Sequence, residues 1–94
     1  MKPSVTKMYD IVLSKDAQKF ISKQDAVSKR RLRDALLELA DNPFVNRNVK
    51  RLRGTHDLLR LRVGNYRIVF SVEEDRMMIM VIDIDNRGDV YKRL

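Results

Sequence analysis

Hydrophobic and polar positions recur with two different periods along the chain, and the change of period divides it into two halves. In the first half, the run MYDIVL at residues 8 to 13 is typical of a short strand. Ser14 is a favourable helix N-cap, and the residues behind it form one apolar helical stripe, Ala17, Phe20 and Ile21. The pattern therefore predicts a strand followed directly by a short helix.

A second helix is predicted from Asp25 onward. Asp25 can cap its first turn, and leucines recur at helical spacing at positions 32, 36 and 39. The sequence DNP at residues 41 to 43 ends the pattern, because the residue before a proline avoids the helical conformation.

The second half of the chain has the period of β-strands. Alternating runs at 58 to 63 and 66 to 72 flank the turn dipeptide GN, and the turn EEDR leads to a third apolar run at 77 to 84. We predict an α+β fold, with a small antiparallel sheet that has an N-terminal strand, two N-terminal helices packed on one face, and a C-terminal three-stranded meander. Residues 1–94 are expected to form a single domain.

The first hairpin turn predicts which side chains share a face of the sheet. A two-residue turn at positions 64 and 65 pairs Arg62 with Arg67 and Arg60 with Val69. The inner face is then expected to hold Leu59, Leu61, Val63, Tyr66, Ile68, Phe70, Val72, Met77, Ile79 and Val81. The outer face is expected to gather the three arginines at one end.

The second hairpin is predicted in the same way. A turn centred on Glu74 and Asp75 pairs Val72 with Met77 and places Ile82 opposite Arg67. On this register, apolar Val69, Met80 and Ile82 border the arginines of the outer face.

The net charge and the composition of the chain limit the classes of function that are possible. The chain has a formal net charge of +7, with 20 basic and 13 acidic residues and no cysteine. A strong positive field attracts polyanions, and the absence of cysteine excludes disulfides and thiolate chemistry. A chain without cysteine suits the reducing cytoplasm, where we expect this protein. No apolar run approaches the roughly 20 residues of a membrane span, so no membrane partner is expected. Residues 47 to 67 carry seven basic side chains against one acid.

The pairing of Arg62 with Arg67 needs an explanation. Like charges directly opposite on a sheet destabilise it by a few tenths to about 1 kcal/mol. Two explanations remain open: surface screening and an acid of the chain, Asp83, Asp85 or Asp89, offset the repulsion, or a bound phosphate supplies the missing negative charge.

Three segments carry a family resemblance. LRG, GNYRIVF and NRGDVY occur in the order and spacing of the RelE/ParE toxin superfamily, and the chain resembles its RelE-type branch most. The resemblance implies a toxin of a toxin-antitoxin pair that cleaves messenger RNA in the ribosomal A site. It also implies a cognate antitoxin as partner, and neither a cofactor nor a metal.

The resemblance also implies a set of site residues. The expected catalytic residues are Arg62, Arg67, Arg87 and Tyr91, and the expected RNA-binding residues are Lys50, Arg51, Arg53 and Arg60. Members often have lysine at the strand positions and histidine where this chain has Asn86. Arginine stabilises charge well but is a poor acid or base, because its pKa lies far above neutral pH.

Two other functions are compatible with the sequence. A ParE-type toxin shares this fold but inhibits DNA gyrase through protein contacts, and a degenerate toxin binds its antitoxin without cutting RNA. His56, the only histidine, is interpreted as a surface loop residue. No metal site is expected, because one histidine without cysteines offers no usual ligand spacing.

Overall fold

The computed structural model describes residues 8–52 and 57–86. The elements in chain order are β1 (Asp10–Leu13), α1 (Lys15–Ser22), α2 (Ala26–Asp41), β2 (Val49–Arg51), β3 (Leu59–Val63), β4 (Tyr66–Glu73), a 3-10 turn (Glu74–Arg76) and β5 (Met78–Asn86). Neither described helix is long and apolar enough to cross a bilayer. The predicted site residues Arg53, Arg87 and Tyr91, together with His56, lie outside the described residues.

The five strands form one sheet in the order β1-β5-β4-β3-β2. The predicted α+β architecture is confirmed, with two corrections. First, β1 runs parallel to β5, so the sheet is mixed rather than wholly antiparallel. Second, a three-residue edge strand, β2, precedes the meander and pairs antiparallel with β3. A segment of three residues is too short to show an alternating pattern, which is why the sequence did not reveal it.

Both predicted N-caps are confirmed. The Ser14 hydroxyl accepts a hydrogen bond from the Ala17 amide at 3.1 Å, and the Asp25 carboxylate accepts one from the Ser28 amide at 2.7 Å. That backbone hydrogen bond from Ser28 lowers the pKa of the Asp25 carboxyl below its ordinary value, since it favours the ionised form. Ser14 has a second task, because its hydroxyl also donates to the Ile82 carbonyl of β5 at 2.7 Å.

Replacing Ser14 by alanine is expected to lower the free energy of unfolding by about 1 to 2 kcal/mol, because the first turn of α1 loses its cap. The bond that ties this cap to β5 is lost as well. Ser22→Ala is the matched control, since that hydroxyl only donates to the Lys19 carbonyl within α1. Urea unfolding measures both. Equal destabilisation by the two substitutions would contradict this assignment.

One hydrophobic core lies between the helices and the inner face of the sheet. The helices contribute Ala17, Leu32, Leu36 and Leu39, and the strands contribute Leu61, Tyr66, Ile68, Phe70, Ile79, Val81 and Ile84. Tyr66 packs edge-on against Phe20, with ring centroids 5.8 Å apart, and its hydroxyl donates to the Gln24 side chain at 3.1 Å. The helices therefore cover one face of the sheet, and the arginine-bearing face is the other one.

The register of the first hairpin is confirmed. Arg62 pairs with Arg67, Leu61 with Ile68 and Arg60 with Val69. Gly64 has a φ of 58°, which suits the first position of a two-residue hairpin turn and favours glycine there.

The register predicted for the second hairpin is wrong. Met77 is not paired with Val72; it closes the turn in a left-handed conformation, with φ 53° and ψ 49°, so that Val72 pairs with Ile79. A β-bulge between Val69 and Phe70 then shifts the pairing by one more residue. As a result Arg67 faces Asp85 rather than Ile82.

Candidate nucleic-acid interface

Four basic side chains meet on the outer face of the sheet, and we call them the basic cluster: Lys50, Arg60, Arg62 and Arg67. Each position follows from strand pairing, because residues directly opposite share a face. Arg62 lies opposite Arg67, and Lys50 of the unpredicted strand β2 lies opposite Arg60. The face therefore carries two like-charged pairs instead of the one expected.

Most of the charge in the basic cluster has no acidic partner. Among residues 8–52 and 57–86, no carboxylate forms an ion pair with Lys50, Arg60 or Arg62. Lys50 and Arg62 are exposed, and Arg60 is half-buried with an inaccessible, unpartnered Nε. An unpaired and partly desolvated guanidinium is unfavourable by itself, and an anion at this end of the face would stabilise it.

Arg67 differs from the other three because it has an acidic partner. Its Nη2 donates to Oδ2 of Asp85 at 2.9 Å, and the side chains are 33% and 14% exposed. Of the two explanations left open by the sequence, neutralisation by an acid of the chain therefore holds for Arg67. It does not extend to Arg62, which no carboxylate among the described residues pairs with.

The β-bulge is what brings Asp85 to the outer face. Phe70 pairs with Val81 and Val69 pairs with Asp83, so Ile82 is the extra residue on β5. Without this extra residue, the side chains beyond it would exchange faces, since a one-residue slip reverses inside and outside. The same slip buries Ile84, which the inner face predicted from sequence did not include.

The other predicted site residues are not all gathered in the cluster. Arg51 is exposed and pairs with Leu59, a residue of the inner face, so its side chain lies on the side of the sheet opposite to Lys50. Arg53, Arg87 and Tyr91 are outside the described residues and keep the roles predicted from the resemblance.

The basic cluster can bind and stabilise negative charge. Guanidinium and ammonium groups remain protonated at neutral pH and donate hydrogen bonds to phosphate oxygens. The basic cluster consists of three arginines and one lysine, without a histidine or a carboxylate, so it can supply charge stabilisation rather than a general base.

Comparison with known proteins gives the family. The model of the family "ParE toxin of type II toxin-antitoxin system, parDE" matches residues 11–91. A putative RelE-like toxin protein of Escherichia coli is 29% identical over 87 residues, covering 88% of this chain and 90% of that protein. The putative toxin RelE4 of Methanocaldococcus jannaschii is 24% identical over 90 residues, covering 92% and 94% of the two chains.

Solved structures agree with the sequence relatives. The archaeal RelE-RelB complex from Pyrococcus horikoshii contains a chain that superposes with a TM-score of 0.75 at 27% identity, covering 86% of this chain and 97% of that one. The isolated E. coli RelE toxin gives a TM-score of 0.71 at 25% identity, covering 90% and 93%. With the family match spanning nearly the whole chain, this protein belongs to the RelE/ParE superfamily of toxins from type II toxin-antitoxin systems.

Proposed function

We propose that this toxin is a metal-independent endoribonuclease that cleaves messenger RNA in the ribosomal A site. The observation that carries the proposal is the outer face of the sheet, where Arg62 opposes Arg67 and Lys50 opposes Arg60. A fold selected only for stability has no reason to place two like-charged pairs side by side, because each costs up to about 1 kcal/mol. A bound RNA backbone turns this repulsion into attraction.

The proposed reaction is attack of a ribose 2′-oxygen on the adjacent phosphate with loss of the 5′-oxygen. Negative charge grows on the non-bridging oxygens as the 2′-oxygen attacks, and fixed positive donors lower the energy of that state. Arg67 and Arg87 clamp the non-bridging oxygens in this scheme, and Arg62 lies beside the 2′-oxygen. Tyr91 stacks on a base or steers the leaving group.

The remaining basic residues hold the RNA in place. Arg60 and Lys50 lie opposite each other on β3 and β2, in the row next to Arg62 and Arg67, and bind the backbone beside the scissile phosphate. Arg53 is assigned to the RNA backbone as well, whereas Arg51 lies on the other side of the sheet and is assigned to ribosomal RNA instead. The same positive surface steers the toxin to the ribosome, whose RNA is a polyanion.

The partner that holds the toxin inactive is a cognate antitoxin. The structural relatives include RelE-RelB complexes from P. horikoshii and E. coli, in which toxin and antitoxin crystallised together. For a toxin of charge +7, an acidic segment that folds over the basic cluster is the complementary partner. Both proteins would act in the cytoplasm, where ribosomes are found.

Inhibition of DNA gyrase is the second candidate function. Two observations favour it: the matching family model bears the ParE name, and the charge of Arg67 is already partly neutralised by Asp85. In this alternative the basic cluster contacts protein carboxylates instead of phosphate. A degenerate toxin that only binds its antitoxin is the remaining alternative.

Induction of the toxin in cells without antitoxin is expected to stop growth and to cut transcripts within translated codons, because cleavage occurs on the ribosome. Primer extension on a defined messenger RNA locates the cuts. The control transcript carries the same sequence with its start codon removed, so that it is not translated and should remain intact.

Intact transcripts together with inhibited gyrase supercoiling would establish the ParE-type function and exclude the nuclease. Intact transcripts with normal supercoiling and normal growth would identify a degenerate toxin. Equal cutting of translated and untranslated transcripts would show a nuclease that does not require the ribosome.

A further inference from the structure

Asp85 is the acidic residue that faces the basic cluster most closely. It lies directly opposite Arg67 on β5, and its Oδ2 accepts a hydrogen bond from Nη2 of Arg67 at 2.9 Å. Arg67 is thus placed between two residues of opposite effect, since Arg62 opposes it on β3 and repels it. The only ion pair that any residue of the cluster makes within the described ranges is this one.

The fold departs from regular strand pairing to make this contact. The bulge at Ile82 interrupts the ladder between β4 and β5, and through it the carboxylate of Asp85 faces outward beside Arg67. Ser14 supports the bulge, because its backbone amide donates to the Val81 carbonyl at 2.9 Å and its hydroxyl donates to the Ile82 carbonyl. The position of Asp85 is therefore built into the framework and is not an accident of a mobile side chain.

The ion pair is incomplete. An arginine and a carboxylate can form two parallel hydrogen bonds, but here only one is made. The Nε of Arg67 and Oδ1 of Asp85 are both inaccessible and have no hydrogen-bond partner. A contact that leaves one donor and one acceptor unsatisfied binds Arg67 less strongly than a bidentate ion pair would. A stronger anion can therefore compete with Asp85 for Arg67.

We propose that Asp85 is an internal counter-ion that occupies Arg67 in the free toxin and competes with an RNA phosphate for it. It lowers the affinity of the basic cluster for RNA and stabilises the free protein against the repulsion between Arg62 and Arg67. Displacement of Asp85 requires a phosphate that is held at the same time by Arg60 and Arg62, so binding favours RNA laid correctly across the strands. This inference rests on the proposed function, because it takes RNA as the ligand of the cluster.

The test is the salt dependence of RNA binding by the intact protein. Each phosphate neutralised by a cation on single-stranded RNA contributes about 0.7 to the slope of log affinity against log salt. An unstructured oligonucleotide is not held across the strands, so in the wild type Asp85 keeps Arg67 and the phosphate contact of Arg67 is missing. The Asp85→Asn variant gains this contact, so its slope steepens by about 0.7 and its affinity at low salt rises several-fold. Fluorescence anisotropy with a labelled, unstructured oligouridine measures both quantities.

Asp83→Asn is the matched control for charge. Asp83 lies on the same strand and face, opposite Val69, is exposed, and forms no ion pair with a described residue. The Asp83→Asn substitution changes the net charge by the same amount. It is therefore expected to raise RNA affinity slightly through the long-range electrostatic field and to leave the salt-dependence slope unchanged. In an Arg67→Gln background, Asp85→Asn is also expected to leave the slope unchanged, because the arginine to be released is absent.

The outcomes separate this inference from the proposed function. Binding by the wild type with an unchanged slope in folded Asp85→Asn, or a loss of affinity there, overturns the counter-ion and leaves RNA binding intact. The absence of RNA binding in both proteins overturns the two together. If the Asp85→Asn protein does not fold, Asp85→Ser is the second variant. If neither protein folds, the ion pair is purely structural and the proposal is wrong.

Discussion

Replacing Arg62 by alanine is expected to reduce messenger RNA cleavage on ribosomes about 100- to 1000-fold, the loss seen when one preorganised donor to a developing negative charge is removed. Arg62 is exposed, and no carboxylate among the described residues neutralises it, so its full charge is available beside the attacking 2′-oxygen in the proposed reaction. Its removal also relieves the repulsion with Arg67, so the folded domain should be as stable as the wild type or slightly more so. Single-turnover cleavage and a thermal melt measure the two effects.

Arg76→Ala is the matched control for the loss of one positive charge. Arg76 lies in the turn beyond the far end of β4, its side chain is 73% exposed, and its contact with Glu73 is long, at 3.8 Å. Cleavage by this variant is expected to remain within a few-fold of the wild type, because a distant exposed charge contributes only through the screened field. Equal losses in the two variants would mean that net charge, and not the position of Arg62, determines activity.

Replacing Phe70 by alanine is expected to lower the free energy of unfolding by about 3 to 5 kcal/mol. Phe70 is fully buried in the middle of β4, and it pairs with Val81 next to the bulge. A domain of this length has a total stability of about 5 to 14 kcal/mol, so the variant loses a large share of it. Its melting temperature should fall by about 15 °C or more.

Phe44→Ala provides the control for this substitution. The same side chain is removed from a loop position where it is 55% exposed, so the expected change is within about 0.5 kcal/mol. Chemical denaturation of the two variants in parallel isolates the contribution of burial from the loss of an aromatic ring. A similar cost at both positions would show that Phe70 is not a centre of the core.

The first hairpin could be predicted from sequence because every determinant of its register is local. Gly64 and Asn65 form a two-residue turn, and alternation on both sides of it leaves one register that buries the apolar face. The helix caps at Ser14 and Asp25 are local for the same reason, since each bonds to an amide three residues away. The opposition of Arg62 and Arg67 was therefore visible before the structure was known.

The sequence alone did not identify the acidic partner of Arg67. Asp83, Asp85 and Asp89 were equivalent candidates, and the predicted register placed Ile82 opposite Arg67. The actual turn is longer than two residues, because Met77 adopts a left-handed conformation that sequence patterns rarely assign to methionine. The bulge adds a further shift whose benefit, the burial of Ile84 together with the outward position of Asp85, appears only in three dimensions.

Period, turn chemistry and composition were enough to predict the fold class, both helix caps, the buried face of the first hairpin and the excess of arginine in one segment. Which charges lie next to each other depends on contacts between distant segments. The pairing of β2 with β3 places Lys50 beside Arg60, and the register of β5 on β4 places Asp85 opposite Arg67. Contacts between distant segments depend on loop geometry and on the slip of a single residue, and neither leaves a periodic signal in the chain.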